Sequence, residues 1–93
     1  SSLSVTAIAA ACKRPGRVAG FHFFNPVPLM KVVEVVKALM TEGWVVERLN
    51  ALARIMGHRP VGAKDTPGFL VNHAGRAYYT EGFRILSEGV ADY

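Results

Sequence analysis

A single cysteine, Cys12, stands in the 93-residue sequence. One thiol excludes an internal disulfide framework and a cysteine-based zinc site, and no bound metal is expected. It fits a reducing compartment, so a cytoplasmic location is expected. Its place at the end of the run Ala7–Cys12 reads as a small buried hydrophobe. Long apolar runs are also missing. The longest uncharged stretch, Val18 to Met30, has 13 residues and contains Pro26 and Pro28, short of the ~18 needed to cross a bilayer. No membrane contact is expected, and no basic segment followed by an apolar core opens the chain as a secretory signal would. A basic stripe is lacking too. The net charge is +4, but only Lys13, Arg14 and Arg17 cluster, around a turn at Pro15-Gly16, so nucleic acid is not an expected partner. Nor does Gly-x-Gly-x-x-Gly occur anywhere: the pairs Gly16/Gly20 and Gly57/Gly62 have the wrong spacing.

What is present is apolar. Hydrophobic residues make up 51% and charged ones 19%, which excludes intrinsic disorder. A chain this short buries only roughly 60–65% of its unfolded surface, so such a surplus suggests faces that meet a partner. Because the sequence also starts at Ser1, it is expected to be a piece of something longer. Ser4 to Cys12 begins with a residue able to cap a helix and continues through alanines, which predicts a short helix. Pro15-Gly16 punctuates it. Val18 to Phe24, apolar on both sides and aromatic, suits a buried strand. Asn25-Pro26-Val27-Pro28 is irregular, since each proline removes a donor and extends its predecessor. Val32-Val33-Glu34-Val35-Val36 is a β-branched strand with one charge set in its middle.

Further on, Thr41 is placed to cap a helix over Glu42–Met56. Val45, Leu49, Leu52 and Met56 would form its buried face, and Gly57 its C-terminal cap. Arg59 to Ala63 reads as a short strand at a sheet edge. Asp65-Thr66-Pro67 reads as a helix start, with Thr66 at the cap and Pro67 at the first helical position. A helix over Gly68–Glu88 would run about 30 Å, with Gly75 and Gly82 on one face for close approach of another helix. The order α-β-β-α-β-α is the tail of an α/β sheet followed by the opening helix of a helical domain.

Three polar groups stand in apolar settings. His22 lies between Phe21 and Phe23-Phe24, and alternation puts its side chain opposite theirs; alone it is a structural histidine or a base. Glu34 is bracketed by four valines, and a buried carboxylate is rare unless paired; alone it either pairs or points off an open face. The two together say more. If the strands pair beside the proline-rich turn, the carboxylate can accept from one ring nitrogen, fix the tautomer and leave the other nitrogen to act as a base. Asn72 falls in the first turns of the last helix, where Asn is a poor helix former, as exposed decoration or as a polar contact.

The run His22-Phe23-Phe24-Asn25-Pro26-Val27-Pro28-Leu29-Met30-Lys31-Val32-Val33-Glu34-Val35 resembles, nearly residue for residue, the signature of the L-3-hydroxyacyl-CoA dehydrogenase family. Lys64-Asp65-Thr66-Pro67-Gly68-Phe69-Leu70-Val71-Asn72 looks like that family's junction between its nucleotide-binding and helical domains, and Ser1-Ser2-Leu3 matches the serine pair ending the strand before. The three blocks keep the family's order and spacing across essentially the whole chain.

The resemblance implies an α/β fold. Residues 1–64 would form the C-terminal part of a Rossmann-like NAD-binding domain, and residues 65–93 the first helix of an all-α domain. It implies an NAD-dependent enzyme interconverting (3S)-3-hydroxyacyl-CoA and 3-oxoacyl-CoA, in β-oxidation or a related short-chain or aromatic-degradation pathway. The partner is then an acyl-CoA thioester and the assembly a homo-oligomer. His22 would be the general base, and Glu34 would orient it and stabilise the imidazolium. Ser1 would hydrogen-bond the reacting oxygen near the nicotinamide. Asn72 would position the substrate near its thioester, and Asn25 would line the nicotinamide side. Where the family usually has Arg after the junction Asn, this sequence has His73.

The glycine fingerprint that lets backbone approach a pyrophosphate is absent, so the 93 residues alone are expected to bind no NAD and to turn over nothing. Two further readings follow: a non-catalytic association module using exposed apolar faces, or a related dehydrogenase of sugar acids or hydroxy acids. By resemblance, Phe23-Phe24 and Met30 favour the acyl-CoA branch.

Overall fold

A computed structural model describes residues 3–67 and residue 69. Helix α1 (Val5–Ala10) comes first, then a 3-10 turn (Pro15–Arg17), strands β1 (Gly20–Phe23) and β2 (Val32–Lys37), helix α2 (Gly43–Ile55) and strand β3 (Arg59–Lys64). The strands form one sheet in the order β1-β2-β3, β1 antiparallel and β3 parallel to β2. The α-β-β-α-β order of an α/β unit read from the sequence is present. Among the described residues β3 lies at a sheet edge, as expected. Of the helix expected over 68–88, only Phe69 is among the described residues, and it stands in a turn at φ +51° rather than in a helix opened by Thr66 and Pro67; Gly75 and Gly82 lie outside the described residues.

Sequence explains why β2 is central. Its β-branched residues suit a pleated surface covered on both sides, and Val33, Val35 and Val36 are at most 1% exposed. Burial of each contributes about 1.5–3 kcal/mol. Val36 packs with Val5 of α1, Ala38 and Phe69, flanked by Val18 and Ala63. Helix α2 packs against β2 and β3 and ends as its glycine predicts. Gly57 takes φ +78°, its amide donates to Arg54 O and the His58 amide donates to Ala53 O. That pair of bonds closes a helix on a left-handed residue.

Four local expectations are corrected. Thr41 does not cap α2; the cap position is Glu42, without a side-chain bond. The Thr41 hydroxyl instead turns inward, donating to Val18 O at 2.6 Å and accepting from the Ala38 amide at 2.9 Å. It thereby ties the approach to β1 to the exit of β2. The buried side of α2 is also rotated. Val45 and Ala53 are buried, whereas Leu52 and Met56 are 43% and 45% exposed, so the inward row steps by four residues. Cys12 is exposed rather than buried, because α1 ends at Ala10 and the chain turns outward. Phe24 shares the face of His22 rather than opposing it, since residues two apart in extended chain lie on one side.

The start of α1 is held by a residue from the far end of the described chain. Ser4 Oγ accepts from the Ala7 amide at 3.1 Å and donates to Asp65 Oδ2 at 2.9 Å. The Asp65 carboxylate accepts from the Val5 and Thr6 amides at 2.9 and 2.7 Å, so three orphan amides of the first turn are satisfied. Burial works against ionisation of Asp65, but the hydrogen bonds from Thr6, Val5 and Ser4 outweigh it and lower its pKa from 3.8 to about 2. A pKa depressed by folding means that the stabilisation is complete above 3.8 and lost as pH falls through about 2. Asp65→Ala is expected to cost about 0.5–2 kcal/mol at neutral pH. It should also flatten the fall in melting temperature within that acid window, measured by circular dichroism. An unchanged acid profile would refute the clamp.

Candidate functional site

The site begins with the register of β1 on β2. Gly20 sits opposite Val36, where a Cβ would lie 2.8 Å from the Val36 Cβ and 3.0 Å from a Val5 methyl. Only glycine lets β1 cross so close to the core, and that crossing puts His22 directly opposite Glu34. Facing residues of an antiparallel pair have Cβ atoms ≈ 4.5–5.5 Å apart, within reach of an imidazole and a carboxylate. His22 Nδ1 and Glu34 Oε2 are 2.7 Å apart. The loop between the strands opens on Asn25-Pro26, a cis peptide, and Pro26 O accepts from the Leu29 and Met30 amides.

The two partners differ in exposure. Glu34 is fully buried while the His22 side chain keeps 20% of its surface. A buried carboxylate is far better ionised and paired than alone, so Nδ1–H donates to Oε2 and the tautomer follows. Nε2, at the opposite edge of the ring, makes no hydrogen bond to another described residue and is the nitrogen able to take a proton. Two aromatic rings brace the imidazole edge-to-face: Phe24 at 4.9 Å and Phe69 at 5.2 Å between centroids. Chemically, such a pair has the geometry in which a carboxylate can orient an imidazole for proton transfer.

The reverse face of the strand is structural. Phe21 packs on Phe23 at 4.9 Å, and Phe23 on His58 at 5.4 Å. His58 is buried, with Nδ1 3.3 Å from Met56 O. Alternation along β1 keeps it from the dyad.

Of the residues singled out from sequence, His22 and Glu34 are thus brought together. Asn25 is exposed just past β1, next to Phe24 in the chain. Ser1, Asn72 and His73 lie outside the described residues. Sequence reasoning missed Phe69 as a contact of His22 and Asp65 as the clamp of α1. The one signal for Asp65 was that α1 has no acidic residue in its own first turn. Among the described residues no group of three or more His, Cys, Asp or Glu side chains is placed to hold a metal. No helix among them is long and apolar enough to cross a membrane.

Residues 1–66 match the protein family described as 3-hydroxyacyl-CoA dehydrogenase, NAD binding domain. The chain is 56% identical over 91 residues to a 3-hydroxyadipyl-CoA dehydrogenase of Escherichia coli strain K12, covering 98% of this chain and 19% of that protein. It is 50% identical to the mitochondrial hydroxyacyl-coenzyme A dehydrogenase of Sus scrofa, covering 98% of this chain and 29% of the relative. It also superposes on the crystal structure of a 3-hydroxybutyryl-CoA dehydrogenase from Escherichia coli K12 with a TM-score of 0.90. That match is 56% identical and covers 98% of this chain and 19% of that one. The chain therefore spans 19% to 29% of the length of these relatives.

Proposed function

The chain belongs to the 3-hydroxyacyl-CoA dehydrogenase family, and from that premise we propose that it is the central part of an NAD-dependent enzyme interconverting (3S)-3-hydroxyacyl-CoA and 3-oxoacyl-CoA. The observation that carries the reading is the 2.7 Å contact between a part-exposed His22 and a fully buried Glu34. In the oxidising direction, Nε2 of His22 takes the proton of the substrate's 3-hydroxyl. Glu34 holds the ring through Nδ1 and offsets the positive charge that appears on it. In the reducing direction the same imidazolium returns the proton to the 3-oxo group. NAD, when bound, supplies the acceptor for the hydride that leaves C3.

The residues of this chain suit the reacting end of that cofactor only. An oriented base stands beside an open loop carrying Asn25, whereas the sequence holds no glycine-rich turn for a pyrophosphate. Asn25 would line the nicotinamide side, with Ser1 at the reacting oxygen and Asn72 near the thioester. The junction after residue 64 separates a Rossmann-like portion from a helical domain, and the full enzyme is a homo-oligomer.

The test is NADH consumption with acetoacetyl-CoA. Turnover is expected from the full-length protein and none from the 93 residues alone. A full-length protein that reduces free 3-oxo acids but not the thioester would move the reading to the hydroxy-acid branch.

A further inference from the structure

We propose that Phe69 is a positioning residue for the His22 imidazole; the inference rests on reading His22 as the base. One hydrogen bond at Nδ1 leaves a ring free to pivot about that bond. Two edge-to-face contacts, from Phe24 and Phe69, remove the freedom. Phe24 lies two residues along the same strand and travels with His22. Phe69 arrives from beyond β3, so it alone of the two references the ring to the rest of the fold.

Its backbone supports this role. Phe69 has φ +51°, a left-handed conformation that a bulky side chain rarely adopts and that persists only where its surroundings over-determine it. Those surroundings are visible. The Phe69 amide donates to Thr66 O at 2.9 Å. Four residues earlier, Asp65 is tied to the start of α1. The ring itself is 6% exposed among Val5, Val36 and Ala38. An aliphatic side chain would fill that cluster equally well. Only an aromatic ring presents an edge and a face to an imidazole at 5.2 Å.

The experiment uses the full-length enzyme and three variants. Phe69→Leu keeps the apolar filling and removes the ring; Phe69→Tyr keeps the ring. Val5→Ala loosens the same cluster without touching His22. Phe69→Leu is expected to lower kcat about 10- to 100-fold with KM little changed, the cost of a misaligned base. Heteronuclear NMR of the imidazole nitrogens should then show His22 losing its single tautomer. Phe69→Tyr should restore kcat to within about threefold of wild type. Val5→Ala should lower the melting temperature while keeping kcat. The proposal is overturned if Phe69→Leu keeps wild-type kcat and tautomer, or if Val5→Ala loses as much kcat as Phe69→Leu. If Phe69→Leu does not fold, Phe69→Met decides on the same readouts. A wild-type enzyme with no activity would sink the dehydrogenase reading instead, and the NMR comparison would still test the brace.

Discussion

Replacing His22 with glutamine in the full-length enzyme should reduce kcat by about 10²- to 10⁴-fold, the usual worth of a positioned general base. Glutamine is the informative substitution. Its amide can donate to Glu34 Oε2 in place of Nδ1–H, so that hydrogen bond to the buried carboxylate is kept. What glutamine cannot do is take a proton. The loss should therefore fall on kcat, with KM and melting temperature close to wild type, measured by steady-state kinetics and thermal denaturation. A variant retaining more than about a third of wild-type kcat would remove His22 from the proton transfer. One that loses activity together with its melting transition would show that the residue serves the fold.

Glu34→Gln carries the second large effect, and the direction of its stability change separates two explanations for a buried charge. If Glu34 were there for stability, neutralising it would cost several kcal/mol. Burial of ions is itself expensive, however, and replacing a buried ion by a neutral group of the same shape is often neutral or stabilising. The expected result is a melting temperature unchanged or higher, with kcat lowered about 10²- to 10⁴-fold. Comparable losses follow when the carboxylate behind a catalytic histidine is neutralised elsewhere. The physical reason is charge. The Gln carbonyl can still accept from Nδ1–H, but it offers no countercharge as the imidazolium forms, and its amide can present a donor that selects the wrong tautomer. Unchanged kcat with a clear loss of melting temperature would reverse the assignment and make the pair structural. Glu34→Ala is less useful, because it adds a cavity to the loss of charge.

Both effects depend on features of unequal legibility. The strand over Val32–Val36 could be read directly, because four β-branched residues around one carboxylate have few other uses; that both its faces are buried came from the structure. The pairing of His22 with Glu34 was readable as a consequence, since the irregular Asn25–Pro28 stretch leaves the two runs room to fold back on each other. The pairing register was less accessible, because it depends on Gly20 meeting Val36 and Val5 without a Cβ. Thr41 and Glu42 show another limit. Capping preference favours threonine, but a buried hydroxyl with two backbone partners inside the fold outweighs a local cap. The face of α2 shows the same thing. Its apolar residues admit two inward rows, and packing against β2 and β3 chose the one through Ala53, leaving Leu52 and Met56 outside.

By itself, then, the sequence determined the order α-β-β-α-β, the β-branched strand around one carboxylate, the glycine end of α2 and the two residues able to pair as a dyad. These follow from periods of two and 3.6 residues, from proline and glycine, and from the rarity of unpaired charge among valines. Only the tertiary structure decided that Asp65 holds the start of α1 and that Phe69 meets the imidazole edge-to-face. Those contacts join residues about sixty and nearly fifty positions apart in the chain. No local pattern encodes them, because their energy appears only once the sheet has brought residues far apart in the chain into contact.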